Sequence, residues 1–166
     1  MIAALTGFMA SGKTTFGRAA AERLGWCFID LDEAIVRQYG TPSAIFDTRG
    51  EAFFRSVETQ LLEEVLHAER DTVLALGGGT IIQENNLLKI KQSATLIWLD
   101  TAFDIILSEI ENSDRPILRG KPAGEIRALY DARRPRYAAA ADRVFPITSH
   151  DYPQVVADLA DFIANL

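Results

Sequence analysis

The chain has 166 residues, nearly half of them apolar and a quarter charged, with a formal net charge of −6. That length sets the expectation of one domain able to bury a core without disulfide or metal staples. The negative charge argues against nucleic acid as the main partner, and no apolar run approaches the ~20 residues of a membrane span.

The first element is a short apolar run, Ile2 to Thr6, that reads as a buried strand. It leads into Gly7-Phe8-Met9-Ala10-Ser11-Gly12-Lys13-Thr14-Thr15, a full G-x-x-x-x-G-K-[ST] match. A helical pattern follows from Lys13 to Leu24. Strand, glycine turn and helix in that order present free N–H groups and a positive dipole end to phosphate oxygens. The loop residues Ala10, Ser11, Gly12, Lys13, Thr14 and Thr15 are therefore assigned to the phosphates of a nucleoside triphosphate donor. Lys13 supplies a point charge for the outer phosphates, and the Thr14 hydroxyl is a ligand for Mg²⁺.

The second strand, Cys27 to Asp30, holds the single cysteine, expected as a buried, reduced core thiol. With no intrachain disulfide possible and no secretory signal pattern, the expected setting is cytoplasmic. The strand ends in Asp30-Leu31-Asp32. In open α/β sheets ligands bind beyond the carboxyl ends of strands, so both carboxylates fall at the mouth of a site. Asp30 is assigned to Mg²⁺ through water. Asp32 either accepts a proton from a substrate hydroxyl or merely caps the next helix.

Gly40-Thr41-Pro42 breaks the chain, and Pro42 with Ser43 marks a new helix start. A long helix from Glu51 to Ala68 carries a stripe of Phe54, Val57, Leu61, Leu62, Val65 and Leu66. Arg55 borders that stripe as a snorkelling side chain or an anion clamp, with Glu51 and Glu58 near enough to pair with it. The third strand, Val73 to Leu76, runs into Gly77-Gly78-Gly79, which is either a plain turn or a place where an anion meets backbone N–H groups. A fourth strand is expected from Ala94 to Leu99. The polar stretch from Asn112 to Gly124 reads as a lid carrying Arg115. Arg133-Arg134-Pro135-Arg136-Tyr137 combines charge with a helix-disrupting proline, and Arg136 reads as a solvated face. A fifth strand, Arg143 to Ile147, and an amphipathic C-terminal helix complete the pattern. The alternation predicts a single α/β domain: a five-stranded parallel sheet with helices on both faces and a short lid.

Six motifs in one order also resemble a known family, over almost the whole chain. They are the phosphate loop, the D-x-D of Asp30 and Asp32, the F-R-x-x-E of Phe54, Arg55 and Glu58, the triglycine, the R-P-[LI]-L of Arg115 to Leu118, and the R-x-P-x-Y of Arg133 to Tyr137. Together they resemble the shikimate kinases. The resemblance implies transfer of the γ-phosphate of ATP to the 3-hydroxyl of shikimate, with Mg²⁺, by a monomer. It implies that Asp32, Arg55, Gly77, Gly78, Gly79 and Arg133 hold shikimate and that Arg115 closes on ATP, leaving Lys13, Asp32 and Arg115 as the catalytic set.

Two positions depart from the family pattern. Ala10 stands where many members have glycine. The stretch at Leu107 and Ser108 lacks the arginine that in the family stacks on adenine, although Pro153 lies near the segment that lines the adenine pocket. Leu107 continues the apolar pattern of Phe103, Ile106 and Ile110 and is expected in the core. Two other readings compete. A gluconate kinase-like enzyme would share the phosphate loop and the acidic strand end without the full arginine set. A GTPase-like switch draws only on Asp47-Thr48-Arg49-Gly50, a weak D-x-x-G match, and no N-K-x-D follows.

Overall fold

The computed structural model describes residues 1–112 and 120–166. Five strands, β1 (Ile2–Thr6), β2 (Cys27–Asp30), β3 (Thr72–Ala75), β4 (Thr95–Thr101) and β5 (Arg143–Ile147), form one sheet in the order β2-β3-β1-β4-β5. Every pairing is parallel. The central strand β1 is buried along its whole length, and its side chains alternate between two cores. Ile2 and Ala4 face one cluster with Leu74, Leu96 and Trp98; Ala3 and Leu5 face another with Val73, Ile97 and Leu99. Helices α1 (Lys13–Leu24) and α8 (Tyr152–Ala164) cover the second face. The first is covered by α4 (Glu51–Leu66), α5 (Glu84–Ser93) and α7 (Ala123–Ala140). Helices α2 (Leu31–Tyr39), α3 (Pro42–Arg49) and α6 (Phe103–Glu111) sit at the ends, and a 3₁₀ turn spans Thr80–Ile82.

Several expectations change. β2 is an edge strand and half-buried throughout, so Cys27 is half-buried rather than a core thiol. On the other edge β5 buries only Phe145 and Ile147; continuous apolar character there does not mean cover on both faces. β4 runs two residues past Leu99, because Asp100 and Thr101 still pair with Pro146 and Ile147. Pro135 does not break α7. It lies on the exposed side of the helix, where water can satisfy the carbonyl that loses its N–H donor. Ala123 and Gly124, assigned to the lid, form the first turn of α7. Most of that lid, residues 113–119, lies outside the described residues.

Candidate active site

The loop between β1 and α1 is held in a shape few residues can adopt. Gly7 and Gly12 have φ of 150° and 96°, and Ala10 takes a left-handed φ of 59°. A methyl group on Gly7 would lie 2.9 Å from the Leu99 carbonyl oxygen, and one on Gly12 would lie 2.1 Å from the Phe16 ring. The glycines are thus required by backbone angle and by space alike. Lys13 Nζ curls over the loop and donates to the carbonyls of Gly7 and Phe8, at 2.9 Å each. Thr14, in the first turn of α1, donates from Oγ1 to Asp30 Oδ2 at 2.5 Å. The two assigned metal ligands are therefore side by side. A hydroxyl and a carboxylate, both hard oxygen donors, next to a lysine and a helix N-terminus suit a Mg²⁺-triphosphate. Among the described residues no cluster of three or more Asp, Glu, His or Cys exists, so a metal here would complete its shell with phosphate and water.

Asp30 also settles which carboxylate caps α2. Its Oδ1 accepts from the Glu33 backbone N–H at 3.0 Å, so Asp30 is the N-cap and Asp32 lies in the first helical turn. Freed from capping, Asp32 points at the triglycine. A methyl on Gly77 would lie 2.5 Å from Asp32 Oδ1. Although Asp32 lies open to the cleft, desolvation of its carboxyl is the largest cause raising its pKa above the ordinary value. The Asp30 and Glu58 charges push it the same way, against Lys13 and Arg55.

The other two glycines meet the arginines. A methyl on Gly79 would lie 2.9 Å from both terminal nitrogens of Arg55, and the nearest atom to one on Gly78 is Arg133 Nη1 at 3.9 Å. Asp32 from α2, Arg55 from α4 and Arg133 from α7 thus converge on Gly77–Gly79, which follow β3. None of the three glycines has a positive φ; what they supply is close approach. Arg55 is oriented from behind. Its Nη1 donates at 2.9 Å to Glu58, a carboxylate only 1% exposed whose second oxygen accepts from Thr80 Oγ1 at 2.8 Å. A buried carboxylate with both oxygens satisfied holds the guanidinium in one plane. The Arg133 charge also pulls down the phenol pKa of Tyr137, one turn on, against a stronger rise from burial.

A cleft of about 510 Å³ is lined by the phosphate loop, Asp30, Asp32 and Gly78, while Arg55, Arg133, Gly77 and Gly79 are not among its lining residues. It runs from Asp32 and Gly78 along Ala10 to Thr15 and reaches Ile105, Glu109 and Tyr152 at its far end. The Tyr152 ring stacks on Phe16 with centroids 5.4 Å apart. Leu107 is absent from this lining and packs against the hydrophobic core, as its periodicity implies. The α6 side chains facing the cleft are Ile105 and Glu109, one turn apart. Pro153 is exposed next to Tyr152.

Other candidates fall away from the site. Arg115 lies outside the described residues. Arg136 is exposed, and Arg134 is engaged in a bidentate pair with Asp100. Asp47, Thr48 and Arg49 close helix α3 and do not line the cleft, which removes the support for a GTPase-like switch. Four participants were not read from the sequence: Thr80, Ile105, Glu109 and Tyr152. Only a pairing of hydroxyl and carboxylate across 22 residues would have found Thr80, and no sequence pattern encodes that.

Comparison with known proteins agrees with this geometry. A sequence model described as shikimate kinase matches residues 9–164. A shikimate kinase of Synechococcus elongatus is 42% identical over 154 residues, covering 91% of this chain and 80% of that protein. One from Persephonella marina is 37% identical over 142 residues, covering 84% and 85%. In three dimensions the chain superposes on the crystal structure of shikimate kinase from Bacteroides thetaiotaomicron with a TM-score of 0.86 at 30% identity, covering 99% of this chain and 98% of that one. It also superposes on the shikimate kinase from Acinetobacter baumannii in complex with shikimate, with a TM-score of 0.83 at 32% identity, covering 99% and 93%. With the phosphate loop, the triglycine and its converging side chains in place, and with these matches over nearly the full length, the chain belongs to the shikimate kinase family.

Proposed function

We propose that this protein transfers the γ-phosphate of ATP to the 3-hydroxyl of shikimate, yielding shikimate 3-phosphate and ADP. The observation that carries the reading is the convergence of Asp32, Arg55 and Arg133 on the triglycine, at the end of the cleft the phosphate loop lines. A hydroxyl acceptor bearing a carboxylate needs both kinds of group, a base for the one and planar cations for the other. Arg55 and Arg133 take the carboxylate, since a guanidinium fork matches its two oxygens. Asp32 accepts the hydroxyl proton as the acceptor oxygen attacks phosphorus and the bond to ADP breaks.

Such transfers ask little covalent chemistry of the protein and much positioning and charge neutralisation. Lys13 and the N–H groups at the start of α1 hold the phosphates. Thr14 and Asp30 would hold Mg²⁺, which when bound neutralises charge on the phosphate oxygens. Arg115 is assigned to close on ATP from the segment between α6 and α7. A monomeric state is inferred with the rest of this reading. No helix among the described residues is long and apolar enough to cross a membrane; a cytoplasmic setting is inferred with the rest of this reading.

ADP release measured with MgATP and shikimate, with gluconate as the competing acceptor, tests the reading. Turnover with shikimate that disappears in Lys13→Ala is expected. A preference for gluconate would sink it.

A further inference from the structure

At the end of β4 a chain of polar contacts, buried at Thr101 and Tyr130, ties the phosphate loop to helix α7, the helix that carries Arg133. Thr101, the last residue of β4 and 1% exposed, donates from Oγ1 to the Ser11 carbonyl of the phosphate loop at 2.7 Å. Its own carbonyl accepts from the Tyr130 hydroxyl at 2.9 Å. That hydroxyl in turn accepts from Arg134 Nη1 at 2.7 Å, and Arg134 is clamped to Asp100, the neighbour of Thr101, through a second contact at 3.0 Å. Tyr130 touches the loop directly as well, its ring meeting Phe8 edge-on with centroids 5.5 Å apart. Tyr130 lies on α7 three residues before Arg133, so it shares a face with the arginine that points at Gly78.

Two features distinguish this chain of contacts from ordinary packing. The Ser11 carbonyl sits inside the loop assigned to the triphosphate, and a donor aimed at it fixes the peptide whose other side presents N–H groups. Tyr130 has a single hydroxyl, and both its donor and its acceptor capacity are used between α7 and β4. Remove either hydroxyl and a buried polar group loses its partner at the place where donor and acceptor sites are held in register.

We propose that Thr101 and Tyr130 are positioning residues: Thr101 sets the phosphate loop and Tyr130 sets Arg133 against it. Their joint role in the transfer rests on the shikimate kinase reading above. Loss of each hydroxyl therefore has its own signature. Thr101→Val weakens MgATP binding about tenfold and leaves shikimate binding unchanged, while Thr101→Ser restores wild-type nucleotide binding. Tyr130→Phe, which keeps the ring contact with Phe8, raises the KM for shikimate about tenfold with far less effect on ATP.

The experiment is titration calorimetry of MgATP and of shikimate into wild type and the three variants, together with steady-state kinetics and melting temperatures. The split between nucleotide and acceptor effects, with rescue by serine, supports the proposal. Variants that melt earlier but bind both ligands as wild type does while folded overturn it, and so does a serine variant as weak as the valine. Should Thr101→Val fail to fold, Tyr130→Phe decides through its KM values alone. Wild type that binds MgATP but does not phosphorylate shikimate counts against the proposed function; Thr101→Val against Thr101→Ser then still tests the hold on the phosphate loop.

Discussion

Asp32 Oδ1 and the Gly77 backbone lie so close that a single methyl on Gly77 would sit 2.5 Å from the oxygen. The base and the turn beneath it are one unit. Gly77→Ala must displace the Asp32 carboxylate or the strand end, and a shift of about 1 Å at a reacting group is worth on the order of 10² in rate. We expect kcat to fall by about 10- to 100-fold. Gly78→Ala, with its nearest foreign atom 3.9 Å away, should fold as wild type does. Kinetics and melting curves on the pair check this; equal behaviour would contradict it.

Asp32→Asn separates activity from stability. In its proposed role as proton acceptor, Asp32 would be worth on the order of 10²–10⁴ in kcat. Its pKa is raised in the folded state, chiefly by desolvation. The folded protein then binds more protons than the unfolded chain between the ordinary carboxylate pKa and the raised one, so this group lowers stability as pH rises through that window and the deficit persists above it. Asn carries no charge to desolvate. Its melting temperature should therefore equal or exceed that of wild type near neutral pH, and the advantage should shrink as pH falls toward 4. Wild-type turnover should fall on the acid side at a pH above the usual carboxylate range. A slow variant that is also less stable at pH 7 would refute the stability half.

Arg55→Lys and Arg133→Lys keep charge but lose the planar fork. Each is expected to raise the KM for shikimate well above any change for ATP. Arg55→Lys should be the more damaging, because the shorter-reaching point charge must serve both the buried Glu58, which now accepts from Arg55 Nη1, and the acceptor. Initial-rate kinetics varying each substrate in turn gives the answer. A change confined to the KM for ATP would mean that these arginines serve the nucleotide.

Leu107→Ala tests whether this α6 position concerns the nucleotide base or the core. Leu107 packs against the core and is only partly buried, so the loss should be about 1–3 kcal/mol, below the figure for a fully enclosed leucine. The KM for ATP should stay near wild type, whereas Tyr152→Ala, at the far end of the cleft, should raise it. The reverse pattern would place Leu107 on the base.

The phosphate loop, the order of strands and helices, and the segments that meet at the triglycine were legible because each is written locally. Glycines at fixed offsets, a strand ending in D-x-D and an arginine beside an apolar stripe all fall within a few residues. What the sequence left open for Asp32 was decided by two residues of register: Asp30 takes the capping role, which a D-x-D pattern cannot reveal. The edges of the sheet were misjudged for a similar reason. The apolar run of β2 looks like that of β3, and only the strand order, a property of the whole chain, tells which lies outside. Arg134 reads like Arg133 in sequence, yet one helical step turns it toward Asp100 and away from the triglycine.

The strand order also sorts the site by side. On the β2 and β3 flank of the central strand lie Asp32, Arg55 and the triglycine, the residues proposed for the acceptor, with Asp30 beside Thr14 at its border. The residues closing the far end of the cleft follow β4 and β5. Only Arg133 crosses over. On the proposed assignment, substitutions in α4 and the triglycine would retune which alcohol is phosphorylated with little effect on nucleotide binding, and changes in α6 and α8 would alter the preferred base with little effect on the acceptor. Of the acceptor residues, only Arg133 belongs to both programmes of change.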